Sequence, residues 1–163
     1  MNSNNKPEKT APCAVFVGME DIAAIIVERI ADGQSAELSP RGRSMLPLIR
    51  EGKDSVILSP KPEKLKKYDI PLYTRADGKY VLHRVVSVRN GAYVMCGDNQ
   101  FTLEQGITHE RVIAVVSAIR RGGKLFSVNH PIYRAYAVIW CVSRPARHFA
   151  FRVFRKIKRI IKK

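Results

Sequence analysis

No acidic residue follows Glu110. Fourteen Lys and Arg lie beyond it, whereas residues 1–110 set 15 basic side chains against all 14 acids. The body therefore carries a formal +1 and residues 111–163 a formal +14. A near-neutral body with a basic tail points to an anionic partner surface, either lipid or nucleic acid. Cysteine is scarce too. Cys13, Cys96 and Cys141 are odd in number and far apart, which argues against a disulfide framework and fits a reducing compartment. No Cys-x-x-Cys pair exists, and His83, His109, His130 and His148 lack ligand spacing, so no metal site and no cofactor are read. The first 20 residues hold no apolar run long enough for a signal peptide. The nearest approach to a spanning helix, Ala135 to Val142, is far below the roughly 18–20 apolar residues required. Arg134 and Arg144 flank it. No internal repeat is visible.

What is present reads as one domain with appendages. At 163 residues and 45% hydrophobic content, the chain can build a core. Residues 1–18 are expected to be a disordered N-terminus, residues 19–127 a β domain with a leading helix, and residues 128–163 a helical tail. Glu20 to Ala31 predicts a helix, because Ile22, Ala23, Ile25, Ile26, Val27 and Ile30 recur near a 3.6 period, and Asp32-Gly33 ends it. Ser35–Ser39 can form a short strand. Ser55–Leu58, Asp69–Thr74, Lys79–Val88, Ala92–Cys96 and Arg111–Ile119 are the further candidate strands. Ala76-Asp77-Gly78 and Arg89-Asn90-Gly91 are hairpin turns with glycine available for positive φ. Residues 60–67 form a charged surface loop, and 120–124 a further turn.

The body is organised around Gly42-Arg43-Ser44-Met45-Leu46-Pro47. This turn follows one short strand and precedes another. Gly42 lets backbone come close and Pro47 stiffens the exit. Serine is common in turns for ordinary hydrogen-bonding reasons. It is a nucleophile only where a base reaches it. The candidate base is His83, which shares a strand face with Val81 and Val85. A half-buried structural histidine is the competing reading. Asp98, in Cys96-Gly97-Asp98-Asn99-Gln100, is either a turn aspartate or an assisting acid. Arg43 contacts substrate or is simply solvated.

The tail is apolar and aromatic from Pro131 to Val142. Pro145 then opens a second helical segment to Lys163. Ala146, Phe149, Ala150, Val153, Phe154, Ile157, Ile160 and Ile161 fall on one face of it and Arg and Lys on the other, with only Phe151 out of place. A solvent face that is wholly basic, without i,i+4 acids, is unusual for plain packing. An anionic membrane surface contacted through residues 143–163 is the preferred partner. A protein comes second, and nucleic acid third, because no recognition motif accompanies the charge.

Taken in order, Gly-x-Ser-Met-x-Pro, then Asp54 in Gly52-Lys53-Asp54, Tyr68-Asp69-Ile70, Leu82-His83-Arg84-Val85-Val86 and Gly97-Asp98-Asn99 resemble the serine peptidases of signal peptidase type. The resemblance covers about residues 35–121. It is closest to the branch that uses histidine rather than lysine as general base. It implies a mainly antiparallel β fold, akin to that of self-cleaving repressors, with an N-terminal helix and the basic amphipathic helical tail added here. It also implies Ser44 as nucleophile, His83 as general base and Asp98 as assisting acid. Gly42, Ser44 and Met45 would line the oxyanion and substrate site. The substrate would be a peptide or protein with small residues beside the scissile bond. The expected location is the cytoplasmic side, peripheral at the inner membrane face. The alternatives are a catalytically silent peptide-binding relative and a membrane-surface or nucleic-acid module acting through the tail.

Overall fold

A computed structural model describes residues 19–161. The expected disordered N-terminus lies outside them. The fold is mainly β, with antiparallel sheets, one leading helix and two trailing helices. Helix α1 spans Met19–Ala31 and is followed by β1 (Ala36–Leu38), β2 (Asp54–Pro60), β3 (Pro71–Thr74), β4 (Tyr80–Leu82) and β5 (Arg84–Arg89). Then come β6 (Ala92–Cys96), β7 (Glu104–Ile107), β8 (Val112–Arg121), β9 (Lys124–Ser127), α2 (Pro131–Val142) and α3 (Arg144–Ile161).

One sheet runs in the order β1-β2-β8-β3-β4, with β9 added to β8, and the second runs β5-β6-β7. The long strand β8 is the spine. Its one edge pairs with β2, and its other edge takes β3 at the start and β9 at the end. In β2 the period-2 alternation buries Asp54, Val56 and Leu58 and leaves Ser55, Ile57 and Ser59 half exposed. The apolar stripe of α1, including Ile26 and Ile30, packs with Val56, Leu58, Leu72 and Val116 in one core. Tyr73, Val85, Tyr93, Met95 and Ile107 form a second core joining the two sheets. Helix α1 ends as predicted, with Gly33 at φ +74° and its N–H donating to Ile30 O.

The candidate strand Lys79–Val88 is in fact two strands. It breaks at His83, and its halves belong to different sheets. Leu82 pairs with Leu72 in the first sheet, and Arg84 pairs with Cys96 in the second. At the corner, Val85 N–H donates to Asp69 O and Tyr68 N–H donates to Val85 O, each over 2.8 Å. The backbone groups of Val85 thus go to the Tyr68–Asp69 segment, so the first ladder stops. Strands β7 and β9 go beyond the sequence reading. Strand β7 is a short Gly-containing segment without clear alternation, and β9 lies just past the Gly122-Gly123 turn, with all four residues exposed.

Candidate active site

Ser44 sits in the loop between β1 and β2, where Leu46 N–H returns to Arg43 O and Ile49 N–H to Met45 O. Met45 and Ile49 point into the core and anchor this loop from below. Met45 is buried in the core and, with Gly42, also lines the cleft that holds Ser44. Gly42 has φ +90° and nothing near its missing Cβ. It is needed for its backbone conformation, not for a close approach.

The loop is tied to the turn after β6. Asn99 N–H donates to Ser44 O over 2.8 Å, and Asn99 Nδ2 donates to Arg43 O over 3.1 Å. Gly97 fills the remaining gap. A Cβ at that position would lie 2.7 Å from Ser44 O and 3.1 Å from His83 Nε2, so only glycine lets these three elements meet. Ser44 and His83 line one cleft of about 230 Å³, whose walls include Arg75, Tyr80, Leu82 and Gln100. No hydrogen bond joins Ser44 Oγ to His83 in this structure.

His83 occupies the corner between β4 and β5, 1% exposed. Glu104 Oε1 lies 3.0 Å from its Nδ1, and Tyr73 Oη lies 3.3 Å from the same nitrogen. Tyr73 has one hydroxyl proton and donates it to Glu104 Oε2 over 2.8 Å. Both oxygens facing Nδ1 are then acceptors, so the neutral imidazole carries its proton on Nδ1. Nε2, on the Gly97 side of the ring, keeps a lone pair. Burial pushes His83 below the ordinary histidine value, against the pull of the Glu104 carboxylate. Burial by itself would raise Glu104, but hydrogen bonds from Arg75 and Tyr73 outweigh it and hold the carboxyl below its usual range. Arg75 grips Glu104 with two donors, its Nε at 2.7 Å. Burial and the neighbouring carboxylate push the Tyr73 phenol well up, so it stays a donor.

Asp98, the carboxylate expected to assist His83, is engaged elsewhere. It pairs side-on with Arg84, whose Nε and Nη2 donate to its two oxygens over 2.7 and 2.6 Å. Both side chains are buried completely. Arg84 Nη1 also reaches Tyr68 O and Tyr133 Oη. Trp140 Nε1 donates to Asp98 O over 3.0 Å. The acid that meets the histidine is Glu104. Asp98 and Arg84 instead knit the turn after β6 to β5 and α2. Local sequence offered no signal for Glu104, because β6–β7 pairing sets it opposite Met95 and only that register brings it to the corner.

Asp54, another residue of the resemblance, is also structural. Its buried carboxylate takes bonds from Arg50 and Arg121, and those donors hold it far below the usual carboxylate range. Among the described residues no cluster of three His, Cys, Asp or Glu is placed to hold a metal ion.

Comparison with protein-family models, with curated proteins and with solved structures finds no match for this chain. The functional reading therefore rests on the chemistry of the cleft. A serine, a histidine of defined tautomer and an ion-paired carboxylate behind it are the components of nucleophilic acyl transfer.

Proposed function

We propose that this chain is a serine endopeptidase of signal peptidase type, with Ser44 as nucleophile, His83 as general base and Glu104 as the group that orients the base. The observation that supports this most directly is the proton placement at His83, with Nδ1–H between Glu104 and Tyr73 and Nε2 beside Gly97 and the Ser44 loop. As Ser44 Oγ attacks the scissile carbonyl, the Oγ–C bond forms and the serine proton passes to Nε2. Glu104 stabilises the imidazolium that results. The Ser44 N–H is the natural donor to the oxyanion. Nε2 then returns its proton to the leaving amine as the C–N bond breaks, and water releases the acyl group by the same route.

Strand β4 is an edge of its sheet, and Tyr80, Val81 and Leu82 line the cleft. An extended peptide laid along that edge gains main-chain hydrogen bonds beside Ser44. A cleft of about 230 Å³ suits small side chains at the scissile bond.

A second reading, a peptide-binding relative without catalysis, is favoured by the missing hydrogen bond between Ser44 and His83. A fluorophosphonate probe and a peptide-library cleavage assay separate the two. On the peptidase reading, labelling and cleavage depend on Ser44 and fall with Ser44→Ala and His83→Ala. Silence in both assays from folded protein, or cleavage that survives Ser44→Ala, refutes it.

A further inference from the structure

Helix α2 is anchored firmly on its inner side. Ala137 is fully buried, Tyr133 Oη accepts from Arg84, and Trp140 Nε1 donates to Asp98 O. Its outer side is apolar, not polar. Ile132, Ala135, Ile139 and Val142 recur at spacings of three and four, so they form one stripe. Ile132 is 75% exposed, Ile139 67% and Val142 68%. An anchored helix normally turns such a stripe inward, so this one is a surface without its partner.

Two neighbours extend it. Strand β9 presents exposed Leu125 and Phe126, and a groove of about 690 Å³ runs between them and Ile132, floored by Leu48 and Tyr136. Helix α3 adds exposed Ala146, Phe149, Ala150 and Val153. Phe151, the one apolar residue out of place in the α3 pattern, faces the body. It and His148 pack on Phe101, with ring centroids 5.8 and 4.6 Å apart. That contact holds the first turns of α3 to the loop after β6. Lys124 on β9 and Arg152 on α3 are exposed basic residues of these same elements, whereas Arg134 lies on the anchored side of α2, in a cleft with Tyr68 and Asp69. No acid occurs anywhere beyond Glu110.

We propose that α2, β9 and α3 together form a docking face for an anionic lipid bilayer, with the apolar stripe entering the acyl boundary and basic residues of the same elements contacting headgroups. Among the described residues no helix is long and apolar enough to cross a membrane, so the contact is interfacial. The charge selects this occupant. A purely apolar partner would not answer the formal +14 of residues 111–163, and a nucleic acid would leave the isoleucines in water. This face is separate from the Ser44 cleft and stands or falls independently of the peptidase reading.

The test is flotation of the full chain with vesicles of phosphatidylcholine alone or with about one-third phosphatidylglycerol, read in parallel by energy transfer to a dansyl lipid from Trp140, the only tryptophan. Binding is expected only with phosphatidylglycerol, weakening as NaCl rises from about 0.05 to about 0.5 M. The Ile132→Glu/Ile139→Glu variant alters exposed positions only and is expected to bind about tenfold or more weakly. Phe149→Glu on α3 should weaken binding as well. Absence of binding to the anionic vesicles overturns the proposal. So does undiminished binding of the isoleucine variant. Binding to a single-stranded oligonucleotide without vesicle binding, or a stable dimer in solution that excludes vesicles, assigns the face elsewhere and equally overturns it.

Discussion

Replacing Asp98 and Glu104 in turn by their amides separates the roles that the structure assigns to the two carboxylates. The Arg84–Asp98 pair has no exposed side-chain surface, and its two hydrogen bonds are 2.6 and 2.7 Å long. With charge centres about 4 Å apart and an effective dielectric of about 20, the mutual attraction is roughly 4 kcal/mol. Asp98→Asn removes that attraction and leaves a guanidinium buried without its counter-ion, a loss expected at about 3–5 kcal/mol. For a slope near 2 kcal/mol per molar urea, the midpoint falls by about 2 M. Glu104→Gln differs, because Glu104 and its partner Arg75 both reach solvent. Its stability cost is expected at about 1 kcal/mol or less. On the peptidase reading, the catalytic consequence runs the other way. A glutamine can turn its NH2 toward Nδ1 and move the imidazole proton to Nε2, which removes the base, so kcat/KM should drop about 10²–10⁴-fold. Urea denaturation of both variants, beside peptide cleavage measured well below each midpoint, reads the two effects separately. Asp98→Asn with unchanged stability, or Glu104→Gln with unchanged kcat/KM, would refute the assignment. A double-mutant cycle with Arg84→Met adds a check, since removing both charges should recover much of the stability that Asp98→Asn loses.

Gly97→Ala places a Cβ 2.7 Å from Ser44 O, closer than such contacts allow, and Ser44 O is held by Asn99 N–H. The Ser44 loop must shift by a few tenths of an ångström, so kcat is expected to fall by about 10–100-fold at a stability cost of about 1–3 kcal/mol, and unchanged kcat by steady-state kinetics would count against this packing. If the chain is a peptidase with His83 as base, the pH profile of kcat/KM rises as His83 loses its proton, with its acid limb centred below 6.5 because burial lowers the histidine. By the same sign, the unfolded chain binds more protons at this site than the native one, so the His83 contribution to stability is present above pH 6.5 and is lost as pH falls toward the lowered native value. A limb centred above 6.5, or stability rising as pH falls through this window, would contradict it.

Much of the architecture was legible in local patterns. Helix α1 and its glycine stop, strand β6, and the hairpin turns at Gly78 and Asn90-Gly91 follow from periodicity and turn chemistry, which act over a few residues. Ser44 and His83 were singled out from composition and order, and the fold places both on one cleft. The basic, amphipathic character of the end of the chain is a property of residue spacing, so it too is visible before folding. Three features depended on the tertiary structure. The strand through His83 breaks because distant residues 68 and 69 capture the backbone of Val85. Glu104 replaces Asp98 beside the histidine because strand register, not proximity along the chain, decides which carboxylate reaches Nδ1. The stripe on α2 is left outside because Tyr133, Ala137 and Trp140 already commit the opposite face to Arg84 and Asp98. Each is a long-range pairing whose partners the local pattern does not encode, and that is why only the assembled sheets and helices could decide them.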